Sequence, residues 1–367
     1  MSEPTKKKRI KRALNKRFVT LVSLLLLAII SIFKIPDFIK TRSLEDLGYS
    51  EEAISAIKAK RLDKEIIDGA LYSEYLDNEV TKDSFRADYL KLYVYSEDLD
   101  DDDFLLYDRL IAKGYDEDQT INLFRELKFN ELVPLLVFDK LESTSTYTSD
   151  CIRNRANNVD GNFTLDNDYL NAYEGTSEAL DLGTSSVLVS KKFDLGDYIP
   201  QRLVPLTTQY ASEGVELEND AYNAFIMLCD AMSAEGLSIY ALNGYRSYED
   251  QATIYGSYSS TEEADSATTR PGFSESQTGL SVTIVDSANE SLANFINTAE
   301  YQFIKDNGYR YGFIIRYPEG KSSITGYEGT SYQIRYVGIE NAKAVHDSGL
   351  TWEEYYLLYL YEAEVSE

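Results

Sequence analysis

Sixteen consecutive uncharged residues, Phe18–Phe33 (FVTLVSLLLLAIISIF), follow directly on a tail dense in Lys and Arg. No other stretch restricts the fold so strongly, because a run this apolar must be buried in a core or lie in a bilayer. A helix of about 20 residues crosses the hydrocarbon region. The run reaches that length over 18–39 if Lys34 extends its amine to the interface. Residues 1–17 carry eight Lys or Arg against Glu3, and positive flanks stay cytoplasmic. The expected topology is a cytoplasmic basic tail (1–17), a transmembrane signal-anchor (18–39) and an extracytoplasmic remainder. No small-x-small cleavage signal is evident, and the run is long for a signal-peptide core, so the anchor is expected to stay uncleaved.

Charge then limits the partners. The 367 residues carry a formal net charge of −26, and without the basic tail the rest stands at about −33. So acidic a surface meets phosphate as like charge, which excludes nucleic acid and anionic lipid as partners of the outer part. At 43% hydrophobic the chain can fill one or two sizeable cores. Cys151 and Cys229 do not make a disulfide scaffold in a chain of this length. Whether they pair is left open by the sequence, and Cys229 sits in an apolar helical stretch.

Residues 40–142 read as an extracytoplasmic helical region. SLEDLGYSEEAISAIKAK opens on a cap-like Ser43 and breaks at Gly48, and helical spacing resumes after Ser50. LIAKGYDEDQTINLFREL repeats the Gly-Tyr-acidic-cap order, a loose repeat of α-hairpins. The acidic run Glu97–Asp103 lacks the ligand alternation, central Gly and terminal Glu of a calcium loop, so it reads as a solvated turn or acidic helix start. Residues 143–186 are polar and weakly periodic, as in a connector. From 187 to 367 helices alternate with short strands, which predicts an α+β domain with a small antiparallel sheet. VLVS (187–190) and YRYGFIIRY (309–317) read as strands. Tyr309, Tyr311 and Phe313 are expected to fill one sheet face. The stripe Ala221, Phe225, Leu228, Cys229 and Met232 marks a buried helix. His346, the single histidine, stands near a helix end before Gly349 and reads as solvated or capping.

Four blocks in this last region carry more than fold information: GYRSYEDQ (244–251), GFSESQTGLSVT (272–283), YRYGFIIRYPEGK (309–321) and ITGYEGTSYQIRYVG (324–338). In order and spacing they resemble the VanY-type D,D-carboxypeptidases of the LAS metallopeptidase group, over roughly residues 185–360. That group reads S-x-H-Q-T-G-L-x-x-D in the second block, with His and Asp as zinc ligands. A later E-P-W-H supplies the general base and the third ligand. Here Ser274, Gln277, Thr278, Gly279 and Leu280 match, but Ser276 stands at the first His position and Thr283 at the Asp. Counted back from RYVG, Thr330 falls on the Glu and Gln333 on the last His.

The chemistry of that substitution is direct. A hydrolytic zinc takes about three donors from His, Cys or carboxylate and keeps an open position for water. Serine, threonine and glutamine offer neither an anion nor an imidazole, so neither zinc nor any other cofactor is expected. Ser276 lacks an adjacent base that would make it a nucleophile. The resemblance places Arg246 where the family's substrate-contacting arginine lies, with Gln251 and Ser274 lining the same cleft. A guanidinium can hold a peptide carboxylate without a metal. Its alternative is a structural ion pair, for instance with Glu249, while Arg316 and Arg335 read as framework. The expected function is an anchored pseudoenzyme that binds peptidoglycan stem peptide, or scaffolds an envelope protein, without hydrolysis. The alternative is an active D-Ala-D-Ala carboxypeptidase with a metal site rebuilt on carboxylates such as Glu275 and Asp286.

Overall fold

The computed structural model describes residues 37–157, 165, 167–286 and 292–361. The expected membrane span lies, apart from residues 37–39, outside the described residues. Among those described, no helix is long and apolar enough to cross a membrane. The chain divides into two compact units, one up to Phe104 and one from Leu105 onward.

In the first unit a helix over 37–47 is followed by Glu51–Lys60, Asp63–Gly69, Glu74–Glu79 and Leu90–Tyr95. Ser43 lies inside the opening helix rather than at its start, because the helical spacing of buried Leu44 continues through it. Gly48 turns the chain at φ 114°. Ser50 then caps the next helix, its hydroxyl accepting from the Ala53 N–H, and buried Tyr49 donates from Oη to the Leu71 carbonyl at 2.9 Å.

The same device recurs in the second unit. Gly114 turns at φ 99°, and Tyr115 is buried and accepts from the Leu141 N–H at 3.1 Å. Asp116 with Gln119 closes a capping box on Glu117–Glu126. The repeat seen in the sequence is therefore a turn with a tyrosine plug. Glu97–Asp103 is a helix start, since the Asp100 carboxylate accepts from the Asp102 and Asp103 N–H groups at the head of helix Asp101–Ala112. The polar stretch expected as a connector contains helix Ser145–Asn157. It forms because Tyr147 and Cys151 are buried on one side, while the buried Asp150 carboxylate takes the Tyr169 hydroxyl at 2.7 Å.

The α+β expectation holds. Strands β1 (Ser177–Glu178) and β2 (Phe193–Asp194) pair in parallel, and β3 (Leu203–Pro205) with β4 (Glu216–Glu218) antiparallel. The main sheet is antiparallel in the order β5-β6-β8-β7, from β5 (Ile239–Asn243), β6 (Ser281–Asp286), β7 (Phe313–Tyr317) and β8 (Thr330–Tyr336). Helix Asn219–Ala234 buries the predicted stripe, and Phe225, Leu228 and Met232 join Val282, Ile284 and Ile334 in the core. Each large apolar side chain buried there contributes roughly 1.5–3 kcal/mol.

One expected strand does not form and another is shorter than expected. Residues 187–190 are buried but have no ladder partner, because the Val187 and Val189 carbonyls accept from arginine side chains instead. Tyr309 and Tyr311 belong to a 3-10 turn, Gly308–Tyr311, and the strand begins only at Phe313. Gly312 at φ 82° separates the two conformations. Tyr309 accordingly stacks on His346 at 4.2 Å rather than filling a sheet face, and His346 lies in the last turn of helix Ile339–Ser348. Cys151 and Cys229 are buried free thiols.

Candidate functional site

Three segments meet at one end of the main sheet. After β5 the chain turns at Gly244, where an added Cβ would lie 2.4 Å from the Glu216 carbonyl oxygen. Only glycine lets the turn pass this close to β4. The Tyr245 N–H donates to that carbonyl at 2.8 Å, and the Arg246 N–H to the Ser276 carbonyl at 3.1 Å. The arginine turn is thereby fixed to the GFSESQTGL segment. Ser247 starts the next helix, Tyr248–Tyr255, by accepting from the Asp250 N–H, and this places Gln251 beneath the arginine.

The Arg246 guanidinium donates from Nη1 to Gln251 Oε1 at 2.9 Å. Gln251 is fully buried, and its Nε2 donates to Thr268 Oγ1 at 3.0 Å and to the Thr269 carbonyl at 2.6 Å. Its amide is thus spent on holding Arg246 and closing the Thr268–Thr269 turn. Ser274 is also buried. Of the three candidate ligand contacts, only half-buried Arg246 reaches solvent. The ion pair with Glu249 is not made. Among the described residues Arg246 has no carboxylate at ion-pair distance.

Strand register assembles the other candidates. Thr283 on β6 faces Asn243 on one side and Gln333 on the other, so amide, hydroxyl and amide form a row across three strands. Gln333 donates from Nε2 to Ser281 Oγ at 3.1 Å. Thr330 stands apart opposite Tyr317, its buried hydroxyl without a hydrogen-bond partner. Ser276 joins the group through its carbonyl to Arg246. Every side chain that the structure gathers here, apart from the arginine, is neutral.

Behind this row lies a charged cluster that the sequence did not reveal as a unit. Glu275, Arg316, Arg335 and Glu353 are all buried. Glu275 bridges the two arginines, one carboxylate oxygen to Arg316 Nε and the other to Arg335 Nη1. Arg316 also grips Glu353 bidentately, at 2.6 and 3.0 Å. The spare N–H groups reach the Val189 and Val187 carbonyls, each at 3.0 Å. Burial alone would push the Glu275 carboxyl up, but the two guanidinium groups overcome it and hold it below the ordinary range. Arg316 and Arg335 are framework residues, as the sequence suggests. Glu353 carried no signal, because nothing in its spacing points across the 37 residues to Arg316.

This arrangement bears on metal binding. Glu275 is committed to two arginines, so it is not available to rebuild a metal site. Among the described residues no group of three His, Cys, Asp or Glu could hold an ion.

Residues 214–339 match the VanY D-alanyl-D-alanine carboxypeptidase family. The chain is 35% identical over 215 residues to the putative carboxypeptidase YodJ of Bacillus subtilis, covering 55% of this chain and 79% of that protein. It is 34% identical to a D-alanyl-D-alanine carboxypeptidase of Enterococcus faecalis, spanning 62% of that enzyme's length. Among solved structures, the LD-carboxypeptidase LdcB shares 36% identity at a TM-score of 0.47, over 50% of this chain and 90% of that one. VanYB, solved with D-alanine-D-alanine, shares 32% identity at a TM-score of 0.41, over 47% of this chain and 96% of that one. With 35% identity over 215 aligned residues that cover 79% of YodJ, and the family model matched over residues 214–339, the chain belongs to the VanY D-alanyl-D-alanine carboxypeptidase family.

Proposed function

We propose that this protein is a non-hydrolytic member of its family, anchored in the cell membrane with its folded units outside, that binds a peptidoglycan stem peptide through Arg246. The observation that carries this reading is the contrast between the arginine and its surroundings. Arg246 is kept in place by Gln251, has no carboxylate partner among the described residues and is open to solvent. The row beside it, Asn243, Thr283 and Gln333, together with Ser276, provides neutral hydrogen-bonding groups only. The residues present do not fit a zinc ion: hydroxyl and amide oxygens are weak donors beside His and carboxylate, and no anion balances the charge. On this reading, with donors that do not fit a metal and no adjacent base among the described residues, the site does not make water nucleophilic.

What it retains is recognition. A peptide C-terminal carboxylate meets the planar guanidinium fork in paired hydrogen bonds. Peptide N–H and C=O groups find partners along the neutral row. VanYB has been solved with D-alanine-D-alanine, and a stem peptide ending in that dipeptide is the ligand we assign here.

The test uses the full-length chain in detergent, titrated with a pentapeptide ending in D-Ala-D-Ala. One-to-one binding without D-alanine release and without stoichiometric zinc is expected. Arg246→Ala removes a charge-assisted interaction worth about 1.5–3 kcal/mol, so affinity falls by roughly 10- to 100-fold. Arg246→Lys keeps the charge but loses the fork and recovers only part of it. D-alanine release with bound zinc would overturn the reading, and so would binding that Arg246→Ala leaves unchanged.

A further inference from the structure

Away from the Arg246 site, the second unit contains a cavity of about 330 Å³ lined by Arg109, Lys113, Asp139, Lys192, Phe193 and Tyr361, among others. We propose that this cavity is a binding site for a small organic carboxylate with an apolar body, about the size of a dipeptide.

Charge is the first reason. In a chain with a net charge of −26, three cations line this one cavity, and among the described residues Asp139 is the single carboxylate lining it with them. Lys192 takes that carboxylate, Nζ donating to Asp139 Oδ1 at 2.7 Å. The other two cations are held by neutral groups. Arg109 donates from Nε to the Leu358 carbonyl at 3.0 Å, and Lys113 from Nζ to the Leu136 carbonyl at 2.7 Å. Neither has a carboxylate at ion-pair distance among the described residues. The described lining residues therefore carry an excess of two positive charges.

Desolvation is the second reason. Burial pushes the Lys113 amine down to about 8, and the Asp139 carboxylate, already paired with Lys192, offsets that burial only in part. An anion in the cavity would relieve that cost, whereas a neutral ligand would not. The arrangement is also fixed, since Arg109, Lys113 and Lys192 donate to the carbonyls of Leu358, Leu136 and Glu174 in three different segments, and the fork of Arg109 keeps its two terminal nitrogens free of the Leu358 bond.

Shape and wall chemistry define the rest of the ligand. Phe193 on β2 and Tyr361 stand 6.1 Å apart in edge-on contact and, with Leu136 and Leu357, give the cavity apolar walls. Its volume is at the lower end of ordinary ligand pockets, roughly 300–1,000 Å³. An acyl or aryl group on a single carboxylate fills such a space. A bare inorganic anion would leave the walls unused.

The probe is hippurate, an aryl carboxylate of this size, titrated by calorimetry into the full-length chain in detergent, with hippuramide as its neutral isostere. Hippurate is expected to saturate one site, with hippuramide at least about tenfold weaker. Lys113→Met should weaken hippurate by about tenfold or more. Ser177→Phe, at an exposed strand position on the cavity wall, should block binding without removing a charge, and it serves if Lys113→Met folds poorly. Hippurate also ends in a carboxylate, so the titration is repeated in Arg246→Ala. Binding abolished there but kept in Ser177→Phe assigns the probe to the other site and overturns the proposal. Equal affinity for the amide, no saturable binding, or insensitivity to both cavity variants overturns it as well.

Discussion

Replacing Glu275 by glutamine tests the energetics of the buried cluster directly. The four side chains, Glu275, Arg316, Arg335 and Glu353, are between 0 and 2% exposed, and their charges balance to zero. Glu275→Gln removes one anion at nearly constant shape. Arg335 then has no anionic partner, only neutral carbonyl oxygens, among them those of Tyr336, Val187 and Ser185, and the cluster holds one uncompensated positive charge. Breaking a buried pair from one side costs about 3–5 kcal/mol, a large share of a total of about 5–15 kcal/mol. For a unit of this size the melting temperature should fall by roughly 6–20 °C, at about 2–4 °C per kcal/mol. Trp352, the only tryptophan in the chain, is buried and donates to the Val187 carbonyl at 3.3 Å, so its fluorescence follows this cluster during urea unfolding. Acid provides an independent check. The native Glu275 carboxyl is held below its ordinary value, so it binds protons less readily folded than unfolded. Its stabilisation is present above the ordinary carboxylate range and is lost as pH falls through the lowered native value. Glu275→Gln should therefore flatten the acid side of the stability profile. A loss below about 1 kcal/mol, the range of an exposed ion pair, would refute the view that this cluster holds β7 and β8 to the 187–189 segment.

Two further outcomes follow from local geometry. Gly312→Ala places a Cβ 2.6 Å from the Tyr336 ring in a residue at φ 82°, so stability should fall by about 1–3 kcal/mol or more, read as a shifted urea midpoint with unchanged slope. The Cys151 and Cys229 thiols are both pushed up to about 12 by burial; neither should react with a thiol reagent at pH 8 in the native protein, both should react in urea, and rapid native labelling of either would contradict their burial.

Much of the fold was legible before any coordinate. Helix Asn219–Ala234 could be read from its stripe because a buried helix face repeats every three to four residues, and the antiparallel α+β domain followed from helical segments alternating with short strand-like runs. The paired turns at Gly48 and Gly114 were legible as a repeat for the same local reason. Ser276, Thr283, Thr330 and Gln333 are singled out by the resemblance alone, since a motif numbers its residues along the chain. Their chemical poverty is likewise a property of residue type, independent of where they fold.

What the sequence alone did not decide were relations between residues distant in the chain. That Thr283 faces Gln333, while Thr330 stands apart, is a matter of strand register. That Gln251 supports Arg246 from within, instead of reaching a ligand, depends on burial, which its polar side chain does not advertise. VLVS reads as a strand by composition, yet its carbonyls are claimed by Arg316 and Arg335 from more than a hundred residues away. The same long reach commits Glu275 to two arginines, and joins Arg109, Lys113 and Lys192 around one cavity. Local patterns fix backbone conformation because it depends on near neighbours. Charge pairing, exposure and cavity walls depend on which segments the folded chain brings together, so only the tertiary structure decided them.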